Sequence, residues 1–194
     1  IKRETISVEQ HESIPAIEDA VMPGTPRFVI EAYRTLAERA KEREFGLIEE
    51  DVVILDTETT GLSPQENELI EISAAVLSGR EITDRFDTFV HPTTLIPAEI
   101  TELTGITNAD VAHAPDARTA VAQLAEFVGG RPVVAHNATF DRTFIESVKG
   151  GVDVSSIWID SLALSRIALP RLASHKLSYI AEVFGCSAVS HRAT

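Results

Sequence analysis

From residue 51 onward the spacing of hydrophobic and polar positions changes several times, and each change predicts a new element. The run VVIL at 52–55 is continuously apolar, which is typical of a strand buried on both faces. The segments at 68–77 and 81–90 alternate between apolar and polar residues and are joined by a Ser-Gly turn, as neighbouring strands with one polar face are. Three consecutive strands predict a meander.

The rest of the chain alternates between helical spacing and short apolar runs. Helices are predicted at 97–105, 114–130, about 140–148, 161–168 and 176–184. The short segments at 132–136 and 156–160 have the composition of buried strands, and Asp160 is interpreted as a cap of the helix that follows. The order β-β-β-α-α-β-α-β-α-α predicts an α/β domain over 51–194, a mixed β-sheet flanked by helices.

The first 50 residues follow a different pattern. Residues 1–24 are polar and without a period, which predicts an irregular, mobile segment. Thr25 has the side chain of a helix N-cap and Pro26 suits the first helical position, so a helical extension is predicted within 25–50, closed by Gly46. We expect this extra N-terminal helix to dock on the main domain or on a partner.

Composition limits the class of protein. A chain of 194 residues that is 44% hydrophobic can bury one substantial core. No apolar run approaches the roughly 20 residues that span a bilayer, and the N-terminus lacks the pattern of a secretory signal, so a cytoplasmic protein without a membrane segment is expected. The single cysteine, Cys186, excludes an internal disulfide framework and a multi-cysteine zinc site.

Charge is distributed unevenly. The net charge of −13 opposes tight, sequence-independent binding of long nucleic acid. However, residues 51–130 carry 3 basic and 14 acidic side chains, whereas 131–194 carry 7 and 5. The last third therefore permits contact with phosphates, and an acidic cleft that holds divalent cations can also bind a phosphate locally.

Two carboxylates, Asp56 and Glu58, follow the buried strand 52–55. Ligands of open α/β sheets bind at that edge, and residues i and i+2 of an extended segment share a face. Two like charges repel unless a cation lies between them, and hard oxygen ligands select Mg²⁺ or Mn²⁺. A metal site and a simple cap of the following turn remain equal alternatives at this point.

The segment VVAHNATFD repeats this arrangement. Asp141 falls at the start of a predicted helix, where an anion is favoured. If strands 52–55 and 132–135 are neighbours, Asp141 approaches the same cations. His136 and Asn137 are either site residues or ordinary turn residues.

Six ordered segments resemble the DEDDh 3′→5′ exonucleases, the DnaQ-like family to which proofreading exonucleases belong. They are DTETTGL (56–62), ELTGI (102–106), VAHNATFD (134–141), DSLALSR…LP (160–170), SHKL (174–177) and HRA (191–193). The resemblance covers about 50–194 and implies a ribonuclease H-like fold.

The resemblance also implies roles for individual residues. Asp56 would bridge two divalent cations, Glu58 would bind one and Asp141 the other, while His191 would be the general base. The family pattern places a fourth carboxylate two positions beyond Thr194, so the activity of a chain that stops there is expected to be impaired.

Substrate contacts are predicted from the same comparison. Leu103 and Ile106 would wedge against the last bases, and the backbone of Thr57 and Thr59 would meet the terminal sugar and phosphate. Further pocket candidates are Asn137 and Phe140. Leu103 and Ile106 are alternatively ordinary side chains of a helix core. Phe140 alternatively packs in the core and does not line the pocket.

These observations predict an exonuclease that acts on the single-stranded 3′ end of DNA, held there by a polymerase, clamp or fused domain. An RNA-trimming or oligoribonucleotide nuclease is an alternative with the same chemistry. A catalytically silent binding module is an alternative of a different class.

Overall fold

A computed structural model describes residues 16–41 and 51–185. The described residues form two compact units, one lying within 46–161 and one within 1–45 together with 162–193. Within the described ranges, no helix is both long and apolar enough to cross a bilayer.

The unit spanning 46–161 is built on a five-stranded sheet. Its strands are β1 (Val52–Thr59), β2 (Leu69–Ser78), β3 (Glu81–Phe89), β4 (Val133–Ala135) and β5 (Trp158–Asp160). The strand order is β3-β2-β1-β4-β5. The first three strands pair antiparallel as the predicted meander, and β4 pairs parallel with both β1 and β5. The predicted mixed α/β sheet is confirmed.

The helices of this unit follow the predicted order. They are α2 (Ala98–Thr104), α3 (Asn108–Val111), α4 (Ala117–Val128) and α5 (Ala138–Ser147). Glycines end α2 and α4 in the left-handed conformation, at Gly105 (φ 74°) and Gly129 (φ 58°). The one-turn helix α3 was not predicted, although Thr107 and Asp110 form a capping box there.

One face of β1 forms the centre of the core. Val53 and Leu55 are buried with Ile72 of β2, Leu124 of α4 and Phe144 of α5. The prediction that 52–55 is buried on both faces is wrong, because Ile54 is 42% exposed. The strand therefore alternates, and its second face presents the side chains at 54, 56 and 58.

The other unit contains α1 (Arg27–Lys41), α6 (Ser161–Ala168, whose first residue belongs to the sheet unit) and α7 (Leu177–Val183). Residues 16–24, part of the segment predicted to be irregular, contribute the buried side chains of Ile17, Ala20 and Val21 to its core. An isolated β-bridge joins Val21 to Leu172.

Arg171 donates hydrogen bonds to several groups of the N-terminal residues. Its guanidinium donates to the Thr25 hydroxyl (3.2 Å) and the Pro23 carbonyl (3.2 Å), and its backbone N–H donates to the Tyr33 hydroxyl (3.0 Å). The Thr25 hydroxyl, predicted as an N-cap, donates to the Met22 carbonyl at 2.6 Å. The predicted end of the first helix, Gly46, lies outside the described residues.

Candidate active site

The end of β1 presents two carboxylates on one face. Asp56 is exposed and Glu58 is half-buried, whereas Thr57 and Thr59 between and after them are buried on the opposite face. The pairing with β2 sets Glu58 directly opposite Glu71. Like charges at directly opposed positions disfavour an antiparallel pair.

Asp141 lies in the first turn of α5 and is only 3% exposed. The predicted adjacency of the two strands is confirmed, because Val53 pairs with Val133 and Ile54 with Val134. Asp141 Oδ1 accepts a hydrogen bond from the Thr57 hydroxyl at 2.8 Å. The buried side of β1 therefore holds Asp141.

The environment of Asp141 disfavours its charge. Burial raises the pKa of this carboxyl from 3.8 to about 6; the Thr57 hydroxyl lowers it, and the negative charge of Asp56 raises it further. Two carboxylates that repel each other in this way fit a hard divalent cation, which would relieve both the repulsion and the desolvation.

Asp56, Glu58 and Asp141 are the three metal ligands predicted from the sequence. In the part of the chain that the structure describes, no three His, Cys, Asp or Glu side chains are grouped closely enough to hold a metal ion. The pair whose charges act on each other is Asp56 and Asp141. The donor chemistry of this pair fits a divalent cation, and Glu58 lies two residues from Asp56 on the same strand face.

The loop after β1 is a tight turn. The Thr59 hydroxyl donates to the Gly61 carbonyl (2.5 Å), and Asn67 Oδ1 accepts from the Ser63 backbone (2.9 Å). A side-chain carbon at Gly61 would lie 2.6 Å from the Asn67 amide carbon, so only glycine fits there without displacing Asn67. Leu62, the next residue of this turn, is exposed.

Glu68 holds a second loop against this turn, a role that sequence analysis missed. Its carboxylate accepts from the backbone N–H and the hydroxyl of both Thr93 and Thr94, at 2.9–3.3 Å. Four donors on one carboxylate fix the loop between β3 and α2. No local sequence pattern signals this contact, because its partners are 25 and 26 residues apart.

The turn between β4 and α5 has an unusual backbone. Asn137, the N-cap of α5, is left-handed (φ 70°, ψ 50°), and its side chain makes no capping bond. Its backbone N–H donates to Asp160 Oδ1 at 3.1 Å. His136 Nδ1 and the Ser161 hydroxyl are 3.0 Å apart. Both site candidates in this turn therefore have a structural explanation, and Asn137 remains exposed as well.

The predicted substrate contacts differ in accessibility. Leu103 is 80% exposed, whereas Ile106 is fully buried in a small core with Ile70. Phe140 is half-buried and its ring centroid lies 4.9 Å from that of Phe144, as the packing alternative expects. Leu103 therefore remains the accessible candidate of the predicted wedge pair.

Several residues named from the sequence lie outside the described ranges. His191, the predicted general base, lies outside the described residues, as do Cys186 and the HRA segment at 191–193.

A mixed five-stranded sheet with carboxylates at the end of β1 and in the first turn of α5 has the architecture of a ribonuclease H-like α/β domain. The protein family described as exonuclease, RNase_T, matches residues 53–194. The chain belongs to this family, which confirms the resemblance to the DnaQ-like exonucleases.

Two relatives are polymerases. The chain is 40% identical over 146 residues to a "DNA polymerase III PolC-type" of Caldanaerobacter subterraneus subsp. tengcongensis, covering 74% of this chain and 10% of that protein. It is 35% identical over 174 residues to the protein of the same description from Bacillus cereus, covering 88% and 11%. The chain thus spans about a tenth of the length of these curated relatives.

Solved structures share the fold. "Exonuclease X in complex with 5' overhanging duplex DNA" is 24% identical, with a TM-score of 0.59 over 71% of this chain and 75% of that one. "Exonuclease I (apo)" is 15% identical, with a TM-score of 0.59 over 72% and 38%.

Proposed function

We propose that this chain removes nucleotides one at a time from the 3′ end of DNA and releases nucleoside 5′-monophosphates. The observation that carries the proposal is the Asp141 carboxyl, which is buried, accepts from Thr57 of β1 and is raised in pKa by burial and by the charge of Asp56, in a chain of the exonuclease family. A buried carboxylate beside a second carboxylate is a costly arrangement that a bound cation relieves.

The proposed site holds two divalent cations, Mg²⁺ or Mn²⁺. Asp56, Glu58 and Asp141 would hold them, together with the carboxylate that the family pattern places beyond Thr194. Such cations supply a nucleophile at neutral pH and stabilise the attacking and leaving oxygens of an in-line displacement at phosphorus.

The chain's own residues hold and move protons around this site. Thr57 keeps the Asp141 carboxyl oriented through a 2.8 Å hydrogen bond. His191 is proposed to accept the proton of the attacking water, a task that suits a side chain titrating near neutrality. Leu103, exposed on α2, is proposed to contact the terminal bases.

The distribution of charged residues supports an enzyme that another protein or domain holds on its substrate. The stretch 51–130 carries 3 basic and 14 acidic side chains, which gives a long nucleic acid little to bind. On α5, the guanidinium of Arg142 is already paired with Glu146 at 2.7 Å. We therefore propose that a polymerase, a clamp or a further domain holds the 3′ end in place, as the PolC-type relatives suggest.

The test is a gel assay with single-stranded DNA labelled at its 5′ end, in Mn²⁺. The assay uses this chain and a version extended through an aspartate at the second position beyond Thr194. A ladder that shortens by single nucleotides is expected, and Asp56→Ala should slow it by more than about 100-fold, since loss of a ligand is more severe than loss of an outer partner.

The matched control is Asp84→Ala, which removes an exposed aspartate from β3 of the same sheet and should leave the rate unchanged. Immediate release of labelled mononucleotide would contradict the direction. Faster cleavage of an RNA oligomer of the same sequence would contradict the preference for DNA. Intact DNA and RNA with both chains would overturn the nuclease and leave a binding module.

A further inference from the structure

We propose that Asp160 is a positioning residue, which sets the start of α5 and thereby the place of Asp141 in the site. This inference rests on the proposed function, because it assigns Asp160 a role in binding the cation. Asp160 acts through the backbone of Asn137 and is not proposed as a ligand.

The start of α5 needs support from outside the helix. Asn137 is the one non-glycine residue with a positive φ in the described ranges 16–41 and 51–185. Asparagine tolerates this conformation better than most residues, but its side chain then provides no cap for the first helical amides. The turn is therefore held by groups on another strand.

Asp160, at the end of the neighbouring strand β5, lies close enough to the turn at Asn137 to hold that turn by a hydrogen bond. In the parallel pairing of β4 with β5, Asp160 is registered with Ala135, two residues before Asn137. Its Oδ1 accepts the Asn137 N–H at 3.1 Å. A carboxylate at this end of the helix also interacts favourably with the helix dipole.

Ser161 completes the arrangement. Its hydroxyl donates to the Ala135 carbonyl at 3.2 Å and lies 3.0 Å from His136 Nδ1. The dipeptide Asp160-Ser161 thus bonds to three consecutive residues, 135–137. Neither rotation of the Asn137 peptide nor a shift of the helix start is possible without breaking one of these bonds.

Asp141 depends on this helix start. It lies four residues after Asn137, and its side chain must reach the Thr57 hydroxyl across the interface with β1. Metal sites tolerate displacements of only about 0.5 Å before ligand geometry degrades. A loosened turn would therefore weaken cation binding while the core contacts of Phe144 and Ile145 still anchor the rest of α5.

The test combines two measurements on the full chain, Mn²⁺ affinity by calorimetry and amide hydrogen exchange by NMR. Asp160→Ala should weaken Mn²⁺ binding by about tenfold or more, the usual effect of losing an outer partner of a metal ligand. The same variant should speed exchange at Asn137 and in the first turn of α5. Asp160→Asn keeps an acceptor oxygen and should restore most of both properties.

Asp116→Ala is the matched control. Asp116 caps α4 by accepting from the Thr119 N–H at 2.7 Å, so its removal also takes a carboxylate from a helix start, at a different helix. This variant should leave Mn²⁺ affinity unchanged.

The outcomes separate this inference from the proposed function. Faster exchange in Asp160→Ala with wild-type Mn²⁺ affinity would overturn the inference and make Asp160 purely structural. Equal weakening by Asp116→Ala would also overturn it, because general destabilisation would then explain the effect. An unsubstituted chain that binds no Mn²⁺ would instead overturn the proposed metal site, and the role of Asp160 in it.

Discussion

Replacement of Asp141 by asparagine should stabilise the metal-free protein at neutral pH. The carboxyl of Asp141 is buried, and burial raises its pKa to about 6. At pH 7 the carboxyl is mostly ionised, but its charge is less favourable in the folded chain than in the unfolded chain. Asparagine has nearly the same size, keeps an Oδ1 that accepts from Thr57, and carries no charge.

The magnitude follows from the two pKa values. In the unfolded chain the carboxyl titrates near 3.8 and in the folded chain near 6. Below pH 3.8 both states are protonated and the group has no effect. As the pH rises from 3.8 through 6 the unfolded chain loses its proton first, so folding stability falls. Above pH 6 the loss levels off at about 3 kcal/mol, at 1.36 kcal/mol per pKa unit.

The assay is urea unfolding of wild type and Asp141→Asn in EDTA, at several pH values from 4 to 7.5. The free energy of unfolding of the variant minus that of wild type should increase by roughly 2.5 kcal/mol across this range, because part of the effect is already present at pH 4. Groups common to both proteins cancel in the difference. Asp84→Asn, at an exposed position on β3, should show no such trend.

Added Mn²⁺ should reverse the order. Above pH 6 the ionised wild type gains stability from the bound cation, whereas Asp141→Asn gains little. A stability difference that is flat with pH in EDTA, or that falls, would refute the argument that Asp141 is held in an unfavourable charged state.

Two further predictions concern the C-terminal end of β1 and the turn that follows it. Thr57→Val removes the hydroxyl that lowers the pKa of Asp141; the pH midpoint of Mn²⁺ binding, measured by calorimetry, should therefore rise, and an unchanged midpoint would contradict the role of this bond. Gly61→Ala should lower the free energy of unfolding in urea by about 1–3 kcal/mol, because the new carbon displaces Asn67 and breaks its bond to the Ser63 N–H. In that case Asn67→Ala combined with Gly61→Ala should cost less than the two single changes added together.

Sequence patterns predicted the parts of the fold that local chemistry decides. Proline before α2 and glycine after it bracket that helix at residues 98–104, and α4, which Gly129 ends, lies within the predicted range 114–130. The alternation at 68–77 gave β2 its buried and polar faces correctly. Each of these signals acts over a few residues, which is the range that a pattern covers.

Contacts between distant segments were not predictable in the same way. Thr57 and Asp141 are 84 residues apart, and Asn137 and Asp160 are 23 apart. The exposure of Ile54 depends on what covers the second face of the sheet, and a run of four apolar residues does not specify this. Sequence analysis named Asp56, Glu58 and Asp141 through chemistry and resemblance, but not the residues that hold them in place.

The candidate site is also where the chain departs from the rules that stabilise the rest of the fold. Buried charges are normally paired with an opposite charge, and opposed positions on neighbouring strands normally avoid like charges. Here the buried carboxyl of Asp141 is also repelled by the charge of Asp56, and Glu58 pairs opposite Glu71 in the sheet. An asparagine at 141 would remove the first cost without losing the hydrogen bond to Thr57. The acidic side chains therefore reduce the stability of the metal-free protein, and the proposed divalent cation would offset that cost.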